Sequence, residues 1–215
     1  PGWLSVGEGR KILGGAVTRV PLHYGHGWKL DLARLLAALT PQTRAVIINS
    51  PNNPTGWTMD RDAQEIVLAH CRKHGIWIIA DDVYERLYFE SNATCAPSFL
   101  DLAHGDDLVV STNSFSKSWL MTGWRLGWIV APPLLTEEFA KLIEYNTSCA
   151  PSFVQQAGIV ALVQGESVTR EFLQRLKKAR DFLVGKLSAV PGVRVAAPPG
   201  AMYLFLGVEG VVDSV

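Results

Sequence analysis

Short, continuously apolar runs alternate with amphipathic stretches along most of the chain. Ala45-Val46-Ile47-Ile48-Asn49 reads as a buried strand, stopped by residues 50–56, a turn rich in Pro and Asn. Residues 60–74 then predict a helix. Asp60 suits its N-cap, Ile66, Val67 and Cys71 share a face, and Gly75 follows its end. Three further apolar runs predict strands: 76–80 stops at Asp81-Asp82, 108–112 at Asn113-Ser114, and 126–130 at Pro132-Pro133. Helices are expected over 134–149, 152–164 and 169–189. In the last of these Phe172, Leu173, Leu176, Ala179, Leu183 and Leu187 fall near helical spacing, and Pro191-Gly192 ends it. Short strands over 193–196 and 202–206 complete the pattern.

Strands without polar alternation, separated by helices, indicate an α/β fold with a mainly parallel sheet sandwiched by helices. A domain boundary is expected inside the long helix, near residue 175. Residues 1–175 then form one larger unit, and 176–215 begin a smaller α+β unit that the chain does not complete. No internal repeat, low-complexity tract or linker-like run interrupts this organisation.

Composition narrows the functional classes. With 48% hydrophobic and 19% charged residues over 215 positions, the chain can bury a sizeable core, which excludes disorder as its main state. Twenty Lys+Arg balance twenty Asp+Glu, so the basic excess of a general nucleic-acid binder is missing. No apolar run approaches the roughly 18 residues of a membrane span. Cys71, Cys95 and Cys149 are odd in number and lack CxxC spacing, which suits unpaired thiols in a reducing compartment, hence a cytoplasmic expectation. The chain starts at Pro1 without a signal-peptide pattern and reads as a fragment of a longer protein.

Candidate chemistry gathers at strand ends. The first predicted strand is followed by Asn53, the second by Asp81 and Tyr84, the third by Ser114, Ser116 and Lys117. In an open parallel sheet, ligands bind just beyond the carboxyl ends of the strands, so these groups are expected to face one crevice. Asp81 is an acceptor for a cationic nitrogen, and Tyr84 shares its side if the chain turns after the strand. Lys117 offers an amine, while Ser114, Ser116 and Arg125 make a phosphate cradle. Amine, carboxylate, phenol, amide and phosphate site together match the needs of pyridoxal 5'-phosphate.

Each residue also has a bland reading. Asn53 suits a turn before Pro54, Asp81 a helix cap with Asp82 as solvated neighbour, Tyr84 a core position, Lys117 the surface, and Arg125 a strand edge. These readings lose because all must coincide at strand ends. Other constellations are weaker. His70 and His74 have one-face metal spacing, yet Cys71 stands where HExxH requires Glu, so no metal is expected. Gly7-Glu8-Gly9 lacks the third glycine of a dinucleotide loop. Trp3, Trp28, Trp57, Trp77, Trp119, Trp124 and Trp128 read as packing residues.

Taken in order, Asn49-Ser50-Pro51-Asn52-Asn53-Pro54-Thr55-Gly56, Ala80-Asp81-Asp82-Val83-Tyr84, Ser114-Phe115-Ser116-Lys117 and Thr122-Gly123-Trp124-Arg125-Leu126-Gly127 resemble the class I/II aminotransferases of fold type I. The resemblance covers the whole chain, with Pro199-Gly200-Ala201-Met202-Tyr203 similar to the start of that family's small domain. It implies a pyridoxal-phosphate enzyme moving an amino group from an L-amino acid to a 2-oxo acid. Lys117 matches the lysine that holds the cofactor as a Schiff base and moves the substrate proton. Asp81 matches the carboxylate paired with the pyridine nitrogen, and Tyr84 and Asn53 the pair on the ring's phenolic oxygen. Ser114, Ser116 and Arg125 match phosphate ligands. The resemblance further implies a homodimer, with no nucleic-acid or membrane partner. The family's ring-stacking aromatic and carboxylate-gripping arginine fall outside this chain. The same residues also suit a carbon–sulfur lyase, an aminocyclopropane-carboxylate-synthase-like enzyme, or an aminotransferase-like sensing domain of a transcription regulator.

Overall fold

The computed structural model describes residues 14–90 and 93–211; Trp3 and Gly7-Glu8-Gly9 lie outside them. The described chain opens with a small antiparallel hairpin, β1 (His23–Tyr24) and β2 (Trp28–Lys29), followed by the short helix α1 (Leu32–Ala38). Next come β3 (Ala45–Asn49), α2 (Arg61–His74), β4 (Trp77–Asp81) and β5 (Val109–Ser114), which runs straight into a single helical turn, α3 (Phe115–Ser118). β6 (Gly127–Val130) leads to α4 (Thr136–Asn146), α5 (Ser152–Gln164) and the long α6 (Glu166–Leu187). A final hairpin pairs β7 (Val193–Arg194) with β8 (Gly207–Val208).

The central sheet has four strands in the order β3-β4-β5-β6. The first three are parallel, as expected, and β6 runs antiparallel to β5. Parallel registry sets Asn49 beside Asp81 and Asp81 beside Thr112, so the polar ends of β3, β4 and β5 share one rim.

Local chemistry explains the elements. Asp60 caps α2 by accepting from the Ala63 amide at 2.8 Å, and Gly75 closes it in the left-handed region at φ 64°. Arg72, Lys73 and His74 lie at the negative end of the helix dipole. Val67, Leu68 and Cys71 of α2 pack with Val46, Ile48, Ile78, Phe99 and Val109 into the main core. Phe115, Trp119 and Met121 form a second cluster, with Trp128 and the α5 residues Ala157 and Ala161 against it.

Four expectations differ in detail. β5 extends through Asn113 and Ser114, because both pair with β6, Asn113 with Trp128 and Ser114 with Gly127. Residues 202–206 form no strand; Tyr203 and the Phe205 carbonyl bond to Tyr84 and Trp28 instead, and β8 alone pairs with β7. The helix expected over 134–149 ends at Asn146, since Ser148 turns left-handed at φ 60°. Finally, β3 alternates, with Val46 and Ile48 buried and Ile47 43% exposed, so among the described residues only one of its faces is sealed. No helix among the described residues is long and apolar enough to cross a membrane.

Candidate active site

Asn49, the last residue of β3, organises the turn that follows it. Its side-chain oxygen accepts from the Asn53 amide at 2.7 Å, and its side-chain nitrogen donates to the Asp81 carbonyl at 3.1 Å. One side chain thus ties the Asn53 turn to the end of β4. Asn52 braces the same turn by accepting from the Thr55 hydroxyl at 2.7 Å. Gly56 is required here twice over: its φ is +68°, and a Cβ would collide with Pro198 and the Gly200 carbonyl.

Asp81 ends β4 half-buried. Its carboxylate accepts from the Val83 amide at 3.4 Å and, among the described residues, pairs with no cation. Burial raises its pKa, opposed by the Val83 amide. The chain turns immediately afterwards, with the Glu85 amide donating to the Asp82 carbonyl at 2.8 Å and the Leu87 amide to the Tyr84 carbonyl at 2.8 Å. No helix begins at Asp81, so the capping alternative fails there.

This turn brings Tyr84 under the rim, 3% exposed. Its hydroxyl lies 2.6 Å from that of Tyr203, and Lys117 Nζ stands 5.9 Å from the centre of its ring. Burial pushes the Tyr84 phenol well above the ordinary range, helped by the Tyr203 hydrogen bond and the Asp81 charge; the Asn53 side-chain amide works in the opposite direction. Tyr84 is thus the meeting point: Asn53 and Asp81 act on its phenol, and the Lys117 amine stands over its ring.

Ser114 caps α3, accepting from the Ser116 amide at 3.1 Å, and Ser116 is buried. The Thr122 hydroxyl donates to the Ser116 carbonyl at 2.9 Å, and Arg125 Nη1 donates to the Thr122 carbonyl at 3.0 Å. Pairing of Ser114 with Gly127, and donation from the Phe115 amide to the Leu126 carbonyl at 3.1 Å, set exposed Arg125 beside the start of α3. Gly127 permits this approach, since a Cβ would lie 2.5 Å from the Asn113 carbonyl.

Three residues escape the strand-end reading. Asn49 belongs to the motif, yet its clamp becomes visible only with β4 beside it. Tyr203 reaches the site from 119 residues downstream of Tyr84. Asp82 is no solvated neighbour: it is 4% exposed and accepts from the Ser98 hydroxyl at 3.0 Å and the Ser111 hydroxyl at 2.7 Å. Burial raises the Asp82 pKa and the two serine donors lower it. His70 is turned to another partner: its Nε2 lies 3.2 Å from the carbonyl of Leu39, the residue that closes α1.

The donor set suits pyridoxal phosphate. A partly desolvated carboxylate fits a protonated ring nitrogen, a phenol and an amide fit the ring's oxygen, and hydroxyls with Arg125 fit a phosphate.

The aminotransferase class I and II family matches residues 1–214. An aspartate aminotransferase of Pyrococcus horikoshii is 34% identical over 212 residues, covering 98% of this chain and 53% of that protein. An arginine–pyruvate transaminase of Pseudomonas aeruginosa is 32% identical over 196 residues, covering 91% of this chain and 49% of that protein. The crystal structure of the Rhizobium meliloti aspartate aminotransferase superimposes with a TM-score of 0.89 at 31% identity, over 98% of this chain and 52% of that one. The chain spans about half the length of these relatives. Matched along nearly its whole length in sequence and in fold, the chain belongs to the aminotransferase class I and II family, and its architecture is that of fold type I.

Proposed function

We propose that this chain holds the cofactor of a pyridoxal-phosphate-dependent aminotransferase, which moves an amino group from an L-amino acid to a 2-oxo acid. The observation that carries the reading is the Asp81 carboxylate, which among the described residues pairs with no cation, on the same rim as the Lys117 amine, which stands over the Tyr84 ring. When bound, pyridoxal phosphate supplies an aldehyde that takes up amines and a protonated ring that draws electron density from the substrate Cα.

This chain's residues do the rest. Lys117 Nζ holds the cofactor covalently and, once freed, takes the proton from the substrate Cα. Asp81 keeps a proton on the ring nitrogen; a charged hydrogen bond of this kind contributes about 1.5–3 kcal/mol. Tyr84 and Asn53 donate to the ring's phenolic oxygen, while Ser114, Ser116 and Arg125 hold the phosphate. The substrates stay at the level of amino acid and 2-oxo acid, since the named relatives include both aspartate and arginine–pyruvate transaminases. The same proposal takes 1–175 as the cofactor unit, 176–215 as the start of a second, smaller unit with the boundary inside α6, and the whole protein as a cytoplasmic homodimer.

Borohydride reduction of the cofactor-loaded whole protein, followed by peptide mapping, tests the reading. The label should fall on Lys117, and Lys117→Ala should lose both the label and the yellow band. A label on another lysine overturns the assignment. Incubation with glutamate should bleach that band and release 2-oxoglutarate; pyruvate release from a sulfur amino acid instead would make the enzyme a lyase.

A further inference from the structure

Tyr203 makes a contact that the reading above does not use. Its hydroxyl lies 2.6 Å from the Tyr84 hydroxyl, with the rings edge to face, 5.7 Å apart at 76°. The contact is held from both sides. Residues 198–201 are pinned to the rim by donation from the Gly200 amide to the Gly56 carbonyl at 3.1 Å and from the Ala201 amide to the Leu87 carbonyl at 2.8 Å. The Phe89 amide donates to the Pro199 carbonyl at 2.8 Å, and Arg180 Nη1 to the Pro198 carbonyl at 3.0 Å. Ala201 is fully buried beside Tyr84 and Leu87, with Phe172 and Leu176 of α6 packed on the same cluster.

A count of protons gives the contact a direction. Each phenol carries a single proton. If Tyr84 gives its proton to the cofactor's ring oxygen, as the proposed function requires, it has none left for Tyr203. The 2.6 Å contact must then carry the Tyr203 proton towards the Tyr84 oxygen. A hydroxyl that accepts one hydrogen bond donates the next more strongly, and a buried site amplifies this.

We propose that Tyr203 is a positioning residue that donates to Tyr84, and so sets how strongly Tyr84 donates to the ring oxygen of bound pyridoxal phosphate. The proposal rests on the cofactor reading above. It ties the electronic state of the cofactor to the segment that follows α6.

The test is a pH titration of the bound cofactor's absorbance in the whole protein, for the wild type, Tyr203→Phe, Tyr84→Phe and the double variant. Loss of the Tyr203 donor leaves negative charge on the ring oxygen less stabilised, so the titrating proton is held to higher pH. Tyr203→Phe should raise the midpoint by about half a pH unit. In the Tyr84→Phe background the same change should have no effect, because the relay is already cut. Placing 3-fluorotyrosine, a more acidic phenol, at position 203 should lower the midpoint. A packing role cannot reverse the sign in this way. An unchanged midpoint in Tyr203→Phe, an equal shift with and without Tyr84, or a fluorotyrosine shift in the same direction as Phe overturns the proposal. A wild type that binds no pyridoxal phosphate refutes the cofactor reading itself, which the relay variants cannot do, and a bound cofactor whose band keeps one absorbance at every pH in all four proteins overturns the relay.

Discussion

Asp81 and Asp82 are adjacent in sequence and opposite in surroundings. Asp81 sits half-buried on the rim with the Val83 amide as partner, whereas Asp82 is sealed beneath with two serine hydroxyls. On the proposed function, Asp81→Ala in the whole protein should keep part of the cofactor but lose most of kcat, because the ring nitrogen's proton would no longer be held. An unchanged kcat would reduce Asp81 to a turn residue. Glu85 follows in the same turn, and burial pushes its carboxyl up to about 7, reinforced by the Asp82 charge and opposed by Arg86. The folded chain therefore keeps a proton on Glu85 where the unfolded chain has lost it. Stability from this group is complete below about pH 4.5 and is lost as pH rises towards 7. Urea unfolding at pH 5 and pH 8 should show a fall in stability that Glu85→Gln reduces by on the order of 2 kcal/mol. Asn53, Asp81, Tyr84 and Lys117 were legible as candidates because each follows an apolar run by a few residues. The burial of Asp82 was not, since Ser98 and Ser111 come from elsewhere in the chain.

Helices and strands were legible where their signals are local. The cap at Asp60, the apolar face of α2 and the stop at Gly75 act within one helix, and the helix lies where they place it. Asp60→Ala should cost about 1 kcal/mol, read as a lower urea midpoint with an unchanged slope. The reversed direction of β6 had no such signal. An apolar run reads the same in either direction, and here the backbone pairing of Ser114 with Gly127 decides it. Gly127→Ala should force β6 away from Asn113 and shift Arg125, so weaker cofactor retention on gel filtration should accompany a lower melting temperature. Retention and melting equal to wild type would show that β6 yields without cost.

Tyr145 is 93% exposed, Val163 74%, and Leu142 and Phe153 are also open among the described residues. Apolar surface on this scale favours self-association. The chain expressed by itself should bind a hydrophobic dye and elute as aggregates, and Leu142→Lys with Val163→Lys should reduce both without loss of helical circular dichroism. Across the molecule, patterning within ten or so residues was sufficient for β3 to β6 and the capped helix, because periodicity, capping and turn geometry are near-neighbour effects, whereas the two-residue strands β1, β2 and β8 are too short to leave a pattern. Contacts between distant segments required the folded chain. The Ser98 bond to Asp82 spans 16 residues, the Asn49 clamp on Asp81 spans 32, and the Tyr84–Tyr203 contact spans 119. Such pairs form only when the sheet sets its strand ends side by side and a later turn packs across them, and no local pattern records which partner will arrive.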